Sequence, residues 1–221
     1  MKRCVIFDLD GTLADTSGDL IAAANHCFAA MQIEERLDPL GDAGTAVRGG
    51  RAMLSLGLGR AGLLSEQTVD KWYPELLAAY DDAIDVHTHM YPGAVQAVEK
   101  LLSKGYALGV CTNKPEALAE KLLRSLGVRD LFGSMIGADT LATRKPDVAP
   151  YWAAVDHCGG RRDASLLVGD SETDRKTAAN AGVPSILVTF AVGGEDVRPL
   201  NPESVIDHFD ELHPEIMRLI G

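Results

Sequence analysis

Long apolar runs are missing from the start of this 221-residue chain: Met1-Lys2-Arg3 is followed by only four apolar residues, Cys4-Val5-Ile6-Phe7. That is too few for the core of a signal peptide or a membrane span. Basic charge is also scarce, with 21 Lys and Arg against 32 Asp and Glu and a formal net charge of -11. This excludes a general affinity for nucleic acid or for an anionic membrane, both of which need basic surface. Cysteine is sparse, and Cys4, Cys27, Cys111 and Cys158 form no CxxC pair. Scattered thiols of this kind point to reduced, structural cysteines and a cytoplasmic setting. No internal repeat, low-complexity linker or long heptad run occurs, so no segment declares an oligomer interface.

What is present is a core. A 46% hydrophobic content over this length suffices for one good core plus a smaller second module. Cys4-Val5-Ile6-Phe7 reads as a buried strand, and it stops at Asp8-Leu9-Asp10-Gly11-Thr12. Carboxylates at the end of a buried strand are costly unless a cation or good donors compensate. The same grammar recurs. Tyr106 to Cys111 runs into Thr112-Asn113-Lys114, and Ser165 to Val168 runs into Gly169-Asp170-Ser171-Glu172-Thr173-Asp174. Arg144-Lys145-Pro146 follows the weaker strand Ser134-Met135-Ile136. In open parallel sheets, sites form outside the carboxyl ends of strands, near the point where strand order reverses.

From Asp15 to about Ile84 the strand–helix rhythm is broken, and no strand signal occurs. Helical spacing runs from Ser17 to Met31, a short helix is predicted around Ala52 to Leu56, and a longer one begins near Ser65. From Pro92 onward strands and helices alternate, which implies right-handed crossovers and a parallel sheet. Predicted helices run over Gly93–Ser103, Glu116–Leu126, Ala149–His157, Thr173–Ala181 and Glu211–Ile220, with strands at Leu166–Val168, Ser185–Thr189 and Ser204–Ile206. The expected fold is α/β: a Rossmann-like parallel sheet with helices on both faces, plus a small all-helical module inserted after the first strand. The expected division is 1–14 and 88–221 for the core, and 15–87 for the insert.

Four motifs in order carry a family resemblance: Asp8-Leu9-Asp10-Gly11-Thr12, Thr112-Asn113, Lys145-Pro146, and Gly169-Asp170 with Asp174. The chain resembles the haloacid dehalogenase superfamily of hydrolases, and within it the phosphoglycolate-phosphatase-like branch with a helical cap. The run Lys145-Pro146-Asp147-Val148-Ala149-Pro150 keeps only part of the family's alternating prolines, which bears on loop shape more than on the lysine. The insert sits where this family carries its mobile cap.

The resemblance implies a Mg²⁺-dependent phosphatase acting on a small organic phosphate, phosphoglycolate first. Asp8 is then the nucleophile that forms an aspartyl-phosphate, and Asp10 the general acid and base. Lys145 neutralises phosphoryl oxygens and keeps Asp8 ionised, while Thr112 and Asn113 donate to the phosphate. Mg²⁺ takes Asp8, Asp170 and the backbone carbonyl of Asp10, with Asp174 acting through water or by holding Lys145. Asp174 also suits the first turn of a helix for dipole reasons alone.

Lys114 reads as surface charge. His87-x-His89 reads as a solvated pair rather than a metal site. Arg48, Arg51 and Arg60 read equally as exposed arginines or as a fork for a substrate carboxylate. The partner is a small phosphorylated metabolite, with no nucleic acid or membrane. Asp10 argues against dehalogenase and phosphonatase chemistry, which replace that acid. A sugar phosphomutase, a pyrophosphatase or nucleotide phosphatase, and a non-catalytic binding module remain as alternatives.

Overall fold

Strand β1 (Lys2–Phe7) is the spine of the molecule, and Cys4, Val5, Ile6 and Phe7 are each fully buried. A computed structural model describes residues 2–194 and 196–221 of the chain. After β1 come β2 (Ala14–Asp15), α1 (Ser17–Ala30), α2 (Ala43–Ala46), α3 (Gly50–Arg60), α4 (Glu66–Asp82) and β3 (His89–Met90). Then follow α5 (Ala94–Ser103), β4 (Ala107–Cys111), α6 (Glu116–Ser125), β5 (Ser134–Ile136), α7 (Val148–His157) and β6 (Gly160–Gly169). The chain ends through α8 (Glu172–Ala181), β7 (Ser185–Val188), β8 (Ser204–Ile206) and α9 (Leu212–Ile220).

The main sheet has six strands in the order β5-β4-β1-β6-β7-β8, and every pairing is parallel. Val5 pairs with Leu108 on one side and Leu166 on the other, so β1 lies where the strand order reverses. Alternation along the strands sends Cys4, Ile6, Cys111 and Leu167 to one face, against Tyr151, Ala154 and Val155 of α7 and Ala178 of α8. Helix α5 packs on β4 and α9 on β6. Each fully buried large apolar side chain contributes about 1.5–3 kcal/mol relative to exposure.

The chain divides into two compact units, one of Met1–Ala14, Met90–Ala191 and Glu195–Gly221, the other of Asp15–His89 and Val192–Gly194. The second unit is helical. In it α1 packs on α4 and α3, burying Phe28, Met53, Leu54, Leu76 and Tyr80. Gly57 is needed for this packing, since a Cβ there would lie 2.2 Å from the Phe28 ring. Helix α3 is longer than Ala52–Leu56, and α2 was not expected, because glycines interrupt the apolar period that would reveal either. Helix α4 starts where Ser65 accepts a hydrogen bond from the Thr68 N–H at 3.1 Å. His87 and His89 are exposed, and the His87 and Thr88 N–H groups donate to the Asp19 carboxylate at 2.9–3.0 Å.

Candidate active site

The polar ends of β1, β4 and β6 converge because these strands are neighbours in parallel register. The Asp8 N–H donates to the Val168 carbonyl at 2.9 Å, which sets the ends of β1 and β6 side by side. The chain then turns at once. Gly11 has φ +80°, and a Cβ on it would lie 2.5 Å from Oδ2 of Asp170. Glycine is therefore required twice at this position, by conformation and by the close approach of the carboxylate. Thr12 fixes Asp170 from the same loop, donating its hydroxyl to Oδ1 at 2.7 Å.

Lys145 is the centre of charge. Its side chain is only 1% exposed, and Nζ lies 2.9 Å from Oδ2 of Asp8 and 2.7 Å from Oδ1 of Asp174. Burial opposes its charge, but the carboxylates of Asp174 and Asp8 outweigh that and hold its pKa above the ordinary lysine value. Asp174 is fully buried and occupies the third position of α8. There its Oδ2 accepts from the Ser171 hydroxyl at 2.5 Å and from the Ser171 N–H at 3.2 Å, closing a capping box. So the helix-start role and the Lys145 contact belong to the same side chain, one oxygen each. Asn113, an exposed residue, reaches Lys145 through its backbone: its amide donates to the Lys145 carbonyl at 3.1 Å. Thr112 is buried, and its hydroxyl accepts from the Lys114 N–H at 3.2 Å.

Lys114 is not surface charge. It is buried, and its Nζ donates to both oxygens of Asp10, at 2.8 and 3.0 Å. The expectation failed because a lysine beyond a strand end is ordinarily solvated. Here the parallel pairing of β4 with β1 turns it toward Asp10 instead. The signal available in the sequence was an acid and a lysine at equivalent distances past two buried strands.

Asp8, Asp170 and Asp174 each offer an oxygen within 4.8 Å of the others. The carboxylate of Asp10 stands apart from this trio, on Lys114. Burial pushes Asp8 up to about 6, against the pull of Lys145. Asp170 is raised well above the usual carboxylate range, by burial first and then by Asp174 and Asp8. Four carboxylates thus face two ammonium groups, an arrangement that leaves negative charge uncompensated.

The arginines of the helical unit are engaged locally. Arg60 donates to both oxygens of Asp42 at 2.6 and 2.8 Å, Arg51 pairs with Asp70, and Arg48 donates to the Thr45 hydroxyl at 3.1 Å.

Acids and a buried lysine gather at the reversal point of a parallel α/β sheet, which is where ligand sites form in open sheets of this kind. Residues 2–182 match the haloacid dehalogenase-like hydrolase family, and the chain belongs to that family. It is 36% identical over 220 residues to a phosphoglycolate phosphatase of Mesorhizobium japonicum, covering 97% of this chain and 95% of the relative. A phosphoglycolate phosphatase of Rhodospirillum rubrum is 39% identical over 220 residues, covering 96% and 90%. The fold is similar to the crystal structure of a predicted phosphoglycolate phosphatase from Haemophilus somnus, with TM-score 0.84, 24% identity and coverage of 96% and 97%. Among the described residues no helix is long and apolar enough to cross a membrane.

Proposed function

We propose that this chain hydrolyses phosphoglycolate, through an aspartyl-phosphate on Asp8 and with Mg²⁺ as its cofactor. The enzyme is a phosphoric monoester hydrolase that acts on a small organic phosphate. The substrate reading is supported by relatives named phosphoglycolate phosphatase that align over nearly the full length of both chains. The single observation that carries the mechanism is Lys145, buried between Asp8 and Asp174 at 2.9 and 2.7 Å.

The donor set fits a divalent cation. Three carboxylates lie within 4.8 Å of one another around one buried ammonium, so in their ionised form they carry more negative charge than Lys145 compensates. Hard oxygen donors are what Mg²⁺ prefers. Asp8, Asp170 and the Asp10 carbonyl would hold the ion, with Asp174 behind them on Lys145. When bound, it supplies positive charge that screens the acids from the phosphate.

The chain's own residues do the rest. Lys145 favours the ionised Asp8 by proximity and offers its ammonium to phosphoryl oxygens. Asp8 attacks phosphorus, and the ester oxygen departs with a proton from Asp10. Asp10, then a carboxylate, removes a proton from the water that cleaves the aspartyl-phosphate. Lys114 donates to both Asp10 oxygens, an orientation that suits the carboxylate form acting as base in the second step. Thr112 and Asn113 supply fixed donors for the phosphoryl group. Residues 15–87 act as the cap that chooses the leaving group.

The test is phosphate release from a panel holding phosphoglycolate, sugar phosphates, nucleotides, pyrophosphate and an aryl phosphate, with and without Mg²⁺. Wild type should prefer phosphoglycolate and require Mg²⁺, and Asp8→Asn should lower kcat by on the order of 10⁴-fold or more. Preference for another ester would overturn the substrate, and full activity of Asp8→Asn would overturn the nucleophile.

A further inference from the structure

Midway along the strand that leads to Asp8, two thiols lie in contact. Sγ of Cys4 on β1 is 3.3 Å from Sγ of Cys158, the residue that caps the C-terminus of α7. They are 154 positions apart in sequence, and the packing of α7 against the sheet brings them together. Cys4 is fully buried, whereas Cys158 is partly exposed as a residue and packs against the edge of the same core.

We propose that Cys4 and Cys158 form an oxidisable dithiol, a modification site that a hydroperoxide converts reversibly to a disulfide. Cys158 attacks as the thiolate: its sulfur bonds to one peroxide oxygen, the O–O bond breaks, and hydroxide leaves. The product is a sulfenic acid on Cys158. The sulfur of Cys4 then attacks that sulfur, the S–OH bond breaks, and the departing hydroxide takes the Cys4 proton to form water. The two sulfurs lose two electrons in total, and the peroxide oxygen pair gains them. A dithiol reductant restores both thiols and is itself oxidised to its disulfide.

The surroundings of the two sulfurs bear on this order of events. The contact with Cys4 outweighs burial and draws the Cys158 thiol below its ordinary value, and the Cys158 sulfur also lies 3.2 Å from the Val155 carbonyl. Cys4 is raised by that same contact and by burial, as suits the resolving partner. Beside the pair β1 and β6 shift register between Lys2 and Cys4, and the backbone packs closely: a Cβ on Gly160 would lie 2.6 Å from Sγ of Cys4. Closing a 3.3 Å contact to bonding distance needs a movement of about 1.2 Å. Cys27 and Cys111 provide internal controls, since burial pushes their thiols up to about 11 and about 12.

The experiment treats the reduced full chain with equimolar hydrogen peroxide, then maps it by non-reducing peptide mass spectrometry. Free thiols should fall from four to two, with a Cys4–Cys158 cross-link that dithiothreitol reverses. Cys4→Ser should leave Cys158 as a sulfenic acid that dimedone traps, and Cys158→Ser should form no cross-link. Four surviving thiols in wild type, sulfinic acid on Cys158, or a cross-link through Cys27 or Cys111 would each overturn the proposal. The wild-type map decides the matter even if a variant fails to fold.

Discussion

The buried charges at the candidate site of the sheet-containing unit and an exposed ion pair of the helical unit obey different physics. In the sheet-containing unit, Lys114, Lys145, Asp170 and Asp174 are all buried, and each is fixed by partners from other strands or loops. In the helical unit, Arg51 and Asp70 pair across a surface where their side chains are 44% and 58% exposed. Buried charges that lose a partner cost several kcal/mol, whereas an exposed pair contributes about 1 kcal/mol or less. The buried set is therefore constrained at every member, while an exposed pair such as Arg51–Asp70 is free to vary.

Removing Lys145 should break the comparison most violently. Lys145→Met leaves Asp8 and Asp174 without their shared counter-charge. Turnover should fall by at least about a thousand-fold, and stability by about 3–5 kcal/mol near neutral pH. Urea unfolding measures the second effect, and an unchanged midpoint would show that the buried cluster tolerates an unpaired acid.

Lys114 tests whether a buried lysine can matter without touching the nucleophile. Lys114→Met should lower kcat by about 10–100-fold with a smaller change in KM, since general acid–base catalysis contributes about 10²–10⁴. Lys114→Arg should recover part of the loss. Steady-state kinetics that match wild type in both variants would remove Lys114 from the machinery.

The pH dependence of stability carries an unusual sign. Asp8 titrates near 6 in the folded chain against an ordinary 3.8, so the folded state holds its proton more tightly than the unfolded state does. The stability this contributes is complete below the unfolded value and is lost as pH rises through about 6. Asp170 acts in the same direction. Chelator-treated wild type should thus lose on the order of 3 kcal/mol from Asp8 alone over that window. Asp8→Asn should flatten the slope, and added Mg²⁺ should restore stability at the alkaline end. A metal-free protein whose urea midpoint is level from about pH 4 to about pH 7 would contradict the buried, coupled carboxylates.

The smallest effect belongs to the helical unit. Arg51→Ala should cost less than about 1 kcal/mol and leave kcat unchanged. A larger loss by thermal unfolding would mean that this exposed pair is more than surface charge.

Much of the architecture was legible in the residues. Short apolar runs ended by acids marked β1 and β6, and Pro115 before Glu116 with Gly127 after α6 bracketed that helix. The aspartates and Lys145 were legible as a set because each stood at a strand end or in a loop between strands. Less visible were the helices among the glycines of residues 41–62, where too few apolar positions recur for a period to emerge. The sixfold extent of the sheet followed from alternation, but strand order did not, since several orders satisfy the same pattern.

Local sequence, then, determined which residues form buried strands and which acids end them, and the four motifs carried the family resemblance that implies the kind of reaction. Tertiary structure alone decided which side chains meet. The pairing of β4 with β1 buries Lys114 on Asp10, one oxygen of Asp174 caps a helix while the other holds Lys145, and Cys4 touches Cys158 across 154 positions. The reason is range: period and propensity act over a few residues, whereas these contacts exist only after parallel strands have fixed their register.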